Sequence, residues 1–362
     1  MSLDHLHQNL VNRGVLFASY RLPDEDDIFS VVQLSGSAKS VGAERINNEP
    51  GFLISPFNTK VEKPIWIEPD AVFKNGDFQA GMKHWKDLDF TPEVVDFNEP
   101  KCISRADYIE KIQQLKIDIH TGSLKKAVFT RVFKTDLNNW SGTDLFKALI
   151  DRYPTAFVYL INLPGGISWI GASPETLLKV KGRDLETMAL AGTREKTSQS
   201  VEWGEKESVE QHFVEQHIED VLLSKGLTFT KAGPHTYRTG SNIEHIRTLY
   251  SSTDSNSNTW DILDKLHPTP AVCGLPVELS KKWLEENEGY NRSFYSGYLG
   301  PVNMNGSSNL FVNLRCAQIF NEMAYIFVGG GITESSDPQH EWKETELKSQ
   351  TLLNIIESKA KI

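Results

Sequence analysis

The chain has 362 residues, 39% hydrophobic and 24% charged, with a formal net charge of −10. That length exceeds one minimal core and fits one large domain or two of ordinary size, and the composition is that of a globular protein. The absence of a Lys/Arg block or a basic stripe interrupted by aromatics argues against a nucleic-acid partner, so an anionic ligand would need cations gathered locally. Cys102, Cys273 and Cys316 form an odd set without a CxxC pair, which argues against a disulfide framework and a structural zinc site and for a reducing compartment. The N-terminus lacks a basic start followed by an apolar core, and no run approaches the roughly 20 apolar residues of a membrane helix. The expectation is a cytoplasmic protein with no membrane partner.

Residues 1 to about 100 are turn-rich, with short strand-like pieces in "GVLFASYRL", "DIFSVVQLSG" and "GFLISPF". From Ser104 the pattern sharpens. "SRADYIEKIQQLKIDIHTG" has a Ser cap, apolar residues at Ile109, Ile112, Leu115 and Ile119, and a stop at Gly122, which predicts a helix. An alternating strand "KKAVFTRVFKT" follows, then a helix "GTDLFKALIDRY" and strands in "TAFVYLINL", "ISWIGAS" and "TLLKVKGRDLETMAL". After a loop at 194–203 comes a helix "EKESVEQHFVEQHIEDVLLSKG" ending near Gly226. Later strands are expected in "SFYSGYLGPVN", "NLFVNLRCAQIF" and "MAYIFVGGGIT", and a last helix in "QHEWKETELKSQTLLNIIESK", capped by Ser336 or Asp337 with Pro338 in its first turn. Strand runs with helices outside them predict an α+β fold with large antiparallel sheets flanked by helices. With no clear linker, residues 104–362 are expected to form one integrated unit with a more variable part, residues 1–103.

Two helices carry inward carboxylates. Glu210 and Glu207 lie four and seven residues before Val214, so they extend the apolar face of Val214, Ile218, Val221 and Leu222. In the last helix Glu341, Glu344, Lys348, Leu352 and Ile355 share one face. A surface i, i+4 pair explains Glu344 and Lys348 taken alone. Two Glu-x-x-Glu pairs at the heads of buried stripes point instead to a shared cation, and oxygen-only ligands favour Mg²⁺ over zinc.

Other positions are open to either reading. Glu175 in "GASPETLL" follows a strand and a proline and can be a first-turn or loop acid. Lys126, Val128 and Thr130 share one face of "KAVFTR", with Arg131 on the other. Arg315 falls in the middle of the apolar run "NLFVNLRCAQIF", where it requires an anion or a snorkelling route. His245 and His267 each fit a satisfied core histidine. HExxH, GxSxG, GxGxxG and GxxxxGK[ST] are all absent, so zinc-protease, serine-hydrolase and nucleotide-loop chemistry lack support.

In order along the chain, "KAVFTR", "GASPETLL", "ALAGTRE", "KESVEQHFV", "HPTPAVCG", "FYSGYLGPV", "NLRCA" and "VGGGITESSDPQHEWKETELK" resemble the chorismate-utilising enzymes. These are the isochorismate, salicylate, anthranilate and aminodeoxychorismate synthases. Single pieces are weak, whereas the ordered set from about Ser104 to Lys359 is specific. The resemblance implies that family's fold, with Mg²⁺ held by Glu210 and Glu344 directly and by Glu207 and Glu341 largely through water. It implies that Arg315, Tyr295 and the backbone at Gly329 hold a chorismate carboxylate. Gly192, Thr193 and His245 would line the ring pocket and Lys348 would lie beside the metal. Gln211 departs from the pattern, because a His often follows the second glutamate of that helix.

The resemblance also assigns the chemistry. Lys126 matches the general base that activates water for attack at ring C2, and Glu175 matches the general acid that protonates the departing C4 hydroxyl. Such roles need a lowered Lys pKa and a raised Glu pKa. Anthranilate synthases lack that Lys, and aminodeoxychorismate synthases usually carry a Lys where Ala191 stands. The expectation is an Mg²⁺-dependent isochorismate synthase serving menaquinone or siderophore synthesis, monomeric and without a glutamine amidotransferase partner. Alternatives are a salicylate synthase, an anthranilate or aminodeoxychorismate synthase component I, and a non-catalytic anion-binding protein.

Overall fold

The alternating apolar segments assemble into two large antiparallel sheets whose inner faces pack on each other. The structure is a computed structural model that describes residues 1–34, 41–82, 97–196, 202–239, 243–253 and 259–359. The chain begins with α1 (Leu3–Asn12), β1 (Leu16–Arg21), β2 (Ile28–Gln33), α2 (Ala43–Asn48), β3 (Gly51–Ser55), β4 (Ile65–Ile67), β5 (Ala71–Lys74) and β6 (Asp77–Gly81). Next come α3 (Arg105–His120), β7 (Lys126–Asp136), α4 (Gly142–Arg152), β8 (Phe157–Asn162), β9 (Ser168–Ser173), β10 (Thr176–Lys181), β11 (Asp184–Glu195) and α5 (Glu205–Ser224). The remainder is β12 (Thr230–Thr239), β13 (Ile243–Ser252), α6 (Thr259–Leu266), β14 (Gly274–Leu275), α7 (Val277–Asn287), β15 (Tyr298–Val302), β16 (Ser307–Val312), β17 (Cys316–Phe320), β18 (Met323–Ile332) and α8 (Pro338–Ile356).

One sheet has ten strands in the order β14-β7-β18-β17-β9-β8-β1-β2-β5-β6, and the other has eight in the order β12-β13-β11-β10-β16-β15-β3-β4. Aromatic residues join their inner faces: Phe157 of β8 stacks on Phe311 of β16 at 4.1 Å between ring centroids. Helices α1, α4 and α8 cover the outer face of the larger sheet through Leu6, Leu10, Leu145, Leu149, Leu352 and Ile356. Helices α5 and α6 cover the smaller sheet through Val214, Ile218, Leu222, Ile262 and Leu266. The architecture agrees with the expected α+β class.

Of the connections that cross between the sheets, two matter most for the site. Pro174 and Glu175 link β9 of the larger sheet to β10 of the smaller one, while Asn313 to Arg315 link β16 back to β17. Backbone hydrogen bonds fasten the crossovers together, Val312 donating to the Glu175 carbonyl at 3.0 Å and Ala172 to the Arg315 carbonyl at 3.1 Å. This corrects the expectation of one strand through "NLFVNLRCAQIF": Arg315 sits at the break between two strands, with a left-handed φ of 50°. The apolar run is continuous because both strands are buried, so periodicity could not mark the change of sheet. Strand β12 was not expected either. Its Gly233-Pro234 reads as a breaker, but an edge strand with a shifted register between Ala232 and His235 accommodates proline.

Candidate active site

The crossovers, the head of β7, the end of β18 and the first turns of α5 and α8 surround a cavity. Lys126, Glu175, Gly192, Thr193, Glu210, His245, Tyr295, Arg315, Gly329, Glu344 and Lys348 all line it. Of the residues assigned to the site from the resemblance, Glu207 and Glu341 stand outside that lining. Glu341 is buried just behind it, and Glu207 is half-buried with its β and γ carbons against Gly192. His267 lies elsewhere, half-buried between Phe57 and Tyr298.

Lys126 opens β7 between β14 and β18, and only 1% of it is exposed. Burial lowers its pKa, and Glu210, with Oε2 3.8 Å from Nζ, only partly opposes this. Glu175, 2% exposed at its crossover, has a pKa raised by burial to about 8, against a pull from Lys126. Near neutral pH one cavity therefore presents a carboxyl that keeps its proton and an amine whose charge is disfavoured. His245 is held neutral, its pKa lowered to about 3 by burial and by Arg315. Its Nδ1 lies 2.8 Å from the Gly192 carbonyl, which fixes the proton there and leaves Nε2, 3.5 Å from the Arg315 guanidinium, as an acceptor. Gly192 adopts φ 61° at the bulge where β11 shifts register, which is why a glycine stands there.

The glycine run at the end of β18 brings the carboxylates together. A β-carbon on Gly331 would lie 2.8 Å from Glu210 Oε1 and from Lys126 Cε, and one on Gly330 would lie 3.0 Å from Glu341 Oε2. Helix α8 is started by Asp337, whose side chain accepts from the Gln339 and His340 amides, with Pro338 at the first position. Three lysines meet the carboxylates. Lys206 Nζ is 2.6 Å from Glu341 Oε1 and 3.9 Å from Glu210 Oε1, and Lys348 Nζ is 2.6 Å from Glu344 and 2.8 Å from the Gly329 carbonyl. Burial raises the Glu341 pKa to about 6, with help from Glu344. Burial also opposes charge on Glu344, but Lys348 and Lys206 outweigh it and hold that pKa low.

The family model of the chorismate binding enzymes matches residues 76–357. The chain belongs to this family. Isochorismate synthase EntC of Escherichia coli K12 is 29% identical over 248 residues, covering 65% of this chain and 63% of that protein. Isochorismate synthase MenF of Bacillus subtilis is 28% identical over 283 residues, 73% of this chain and 60% of that protein. Anthranilate synthase component 1 of Mycolicibacterium smegmatis is 27% identical over 326 residues, 84% of this chain and 61% of that protein. The chain thus spans about three fifths of the length of these relatives. Among solved structures, the menaquinone-specific isochorismate synthase MenF of Escherichia coli superposes with a TM-score of 0.78 at 19% identity, covering 96% of this chain and 90% of that one. Anthranilate synthase component I of Streptococcus pneumoniae gives 0.67 at 16%, covering 93% and 89%. These likenesses show the shared fold.

The carboxylates of this chorismate binding enzyme fit a hard divalent cation. Glu210 Oε1 and Glu341 Oε2 are buried with no hydrogen-bond partner among the described residues, and the donors are all oxygens. Among the described residues no three acidic, His or Cys groups stand at coordination spacing, and lysine ammoniums lie against the carboxylates. Lys206 was not singled out in the sequence. The available signal was its place one turn before Glu210 on the buried side of α5. The apolar wall of Leu190, Val272, Leu314 and Phe327 was also missed, since nothing in a core-like hydrophobic marks it as facing a ligand.

Proposed function

We propose that this protein is an Mg²⁺-dependent isochorismate synthase. The reading rests on the opposed protonation preferences of Lys126 and Glu175 in one cavity. It is supported by the isochorismate synthases among the relatives. Lys126, neutral, takes a proton from a water as its oxygen bonds to ring C2. Glu175, protonated, gives its proton to the C4 hydroxyl, which leaves as water while the ring double bonds shift. One water is consumed and one released, so the net change is an isomerisation, and transfer of a proton from Lys126 to Glu175 restores the pair.

Arg315, Tyr295 and the Gly329 backbone hold one carboxylate of chorismate, and Gly192, Thr193 and His245 orient the ring. Glu210 and Glu344 would ligate Mg²⁺ directly, with Glu207 and Glu341 acting through water and Lys348 beside them. When bound, the ion neutralises a substrate carboxylate. Ala191 stands where aminodeoxychorismate synthases usually carry a Lys, which favours water over ammonia as the nucleophile.

The test is a product assay on chorismate with Mg²⁺. Isochorismate as the sole product is expected. Salicylate with pyruvate would assign the chain to the salicylate synthases, and no conversion by the parent protein would leave only an anion-binding role.

A further inference from the structure

Lys206 sits among the carboxylates read above as a metal site, and the inference rests on that reading. Its ammonium donates to Glu341 Oε1 at 2.6 Å and lies 3.9 Å from Glu210 Oε1, so one side chain of α5 bridges the acids of both helices. The other two lysines have different anchors, Lys348 on Glu344 and the Gly329 carbonyl and Lys126 in β7 near Glu210 Oε2. We propose that Lys206 is a built-in counter-cation: it holds Glu210 and Glu341 in place in the metal-free protein, must withdraw when Mg²⁺ enters, and so sets the metal affinity.

Three observations carry this. Glu210 Oε1, which Lys206 reaches only at ion-pair distance, and Glu341 Oε2 are buried without a hydrogen bond among the described residues, so the pair has room for more positive charge than one ammonium brings. An ammonium and a divalent ion cannot share these carboxylates cheaply, since like charges a few ångströms apart repel strongly where water is scarce. Lysine also suits a removable cation, as a point charge on a flexible stem, and 22% of this side chain remains exposed to give it a way out. An arginine fork would hold Glu341 more rigidly. Lys206 is therefore a positioning residue. It keeps the Glu210 and Glu341 carboxylates from repelling each other before the metal arrives, and its release tunes how much Mg²⁺ is needed.

Isothermal titration of MgCl₂ into the full chain, with melting curves without and with Mg²⁺, tests the proposal in the parent, Lys206→Met and Lys206→Arg. Lys206→Met should bind Mg²⁺ about tenfold more tightly, melt at a lower temperature without metal, and gain more on adding it. Lys206→Arg should bind no more tightly than the parent. Lys206→Gln removes the charge but keeps a donor for Glu341, and it decides the question should the Met variant not fold. Unchanged or weaker Mg²⁺ binding in the neutral variants, with the parent still forming isochorismate, would overturn the role of Lys206 alone. Absence of Mg²⁺ binding in every protein, parent included, would overturn the metal reading and this inference with it.

Discussion

Burial raises the Glu175 pKa from 4.5 to about 8, so the folded protein binds a proton that the unfolded chain releases across that interval. The stability tied to this group is full below pH 4.5 and is lost progressively as pH rises through about 8, reaching a loss of about 3 kcal/mol by pH 7. Glu175→Gln cannot ionise. Urea denaturation should find it close to the parent at pH 4.5 and more stable by up to about 3 kcal/mol at pH 7, and a variant less stable than the parent at pH 7 would contradict the buried, protonated state. The same substitution should lower kcat by at least about 100-fold, because no acid remains for the departing hydroxyl. In the parent, kcat should fall on the alkaline side as Glu175 loses its proton near pH 8, and on the acid side as Lys126 gains one. In the proposed mechanism, the neutral carboxyl that Glu175 supplies is maintained at the expense of stability.

At the scale of elements, β18 and α8 work as one device in which the strand ends in space and the helix fills it with charge. Gly330 and Gly331 have no left-handed φ, so glycine stands there for room. A methyl on Gly331 meets Glu210 and Lys126 at 2.8 Å, and one of these side chains would have to move. Gly331→Ala should therefore reduce kcat/KM by about 100-fold through misplacement of the base and the carboxylate, with a stability loss of only about 1–3 kcal/mol. Steady-state kinetics alongside thermal melting separates the two effects, and an active Gly331→Ala would show that the close approach is slack. Asp337 acts on the helix without touching the cavity. Asp337→Ala removes the acceptor for the Gln339 and His340 amides and should cost about 1 kcal/mol, read as a lower melting temperature. The sequence narrowed that cap to Ser336 or Asp337, and α5 and α8 with Glu210, Glu341 and Glu344 turned inward were legible, because a helical stripe records which side is buried. The crossover at Arg315 was not legible, since two buried strands in different sheets give one unbroken apolar run. Lys206 was hidden for a different reason. A lysine at i−4 from a glutamate looks like a surface pair until the second helix is known to stand opposite it.

For the whole molecule, the question is whether residues 1–103 can be separated from the rest, and the strand pairings bear on it directly. Strand β1 pairs along its length with β8, from Phe17 opposite Asn162 to Arg21 opposite Val158, and β3 pairs with β15 from Ser55 opposite Tyr298 to Gly51 opposite Val302. The early chain thus supplies strands to both sheets, and α1 packs Leu6 and Leu10 into the same cluster as Leu145 and Leu149 of α4. Its removal would bare the edge of β8, every residue of which is buried, and the edge of β15, likewise buried throughout. We therefore expect one cooperative unit rather than a catalytic body with a dispensable extension. Urea unfolding followed by far-UV circular dichroism and by tryptophan fluorescence should give coincident transitions, since Trp66 reports on the early chain and Trp169 and Trp342 on the later. Residues 104–362 expressed alone should aggregate through the bared strands. An early fluorescence transition that left the dichroism unchanged, or a soluble and folded 104–362 fragment, would instead establish the early chain as a separate layer.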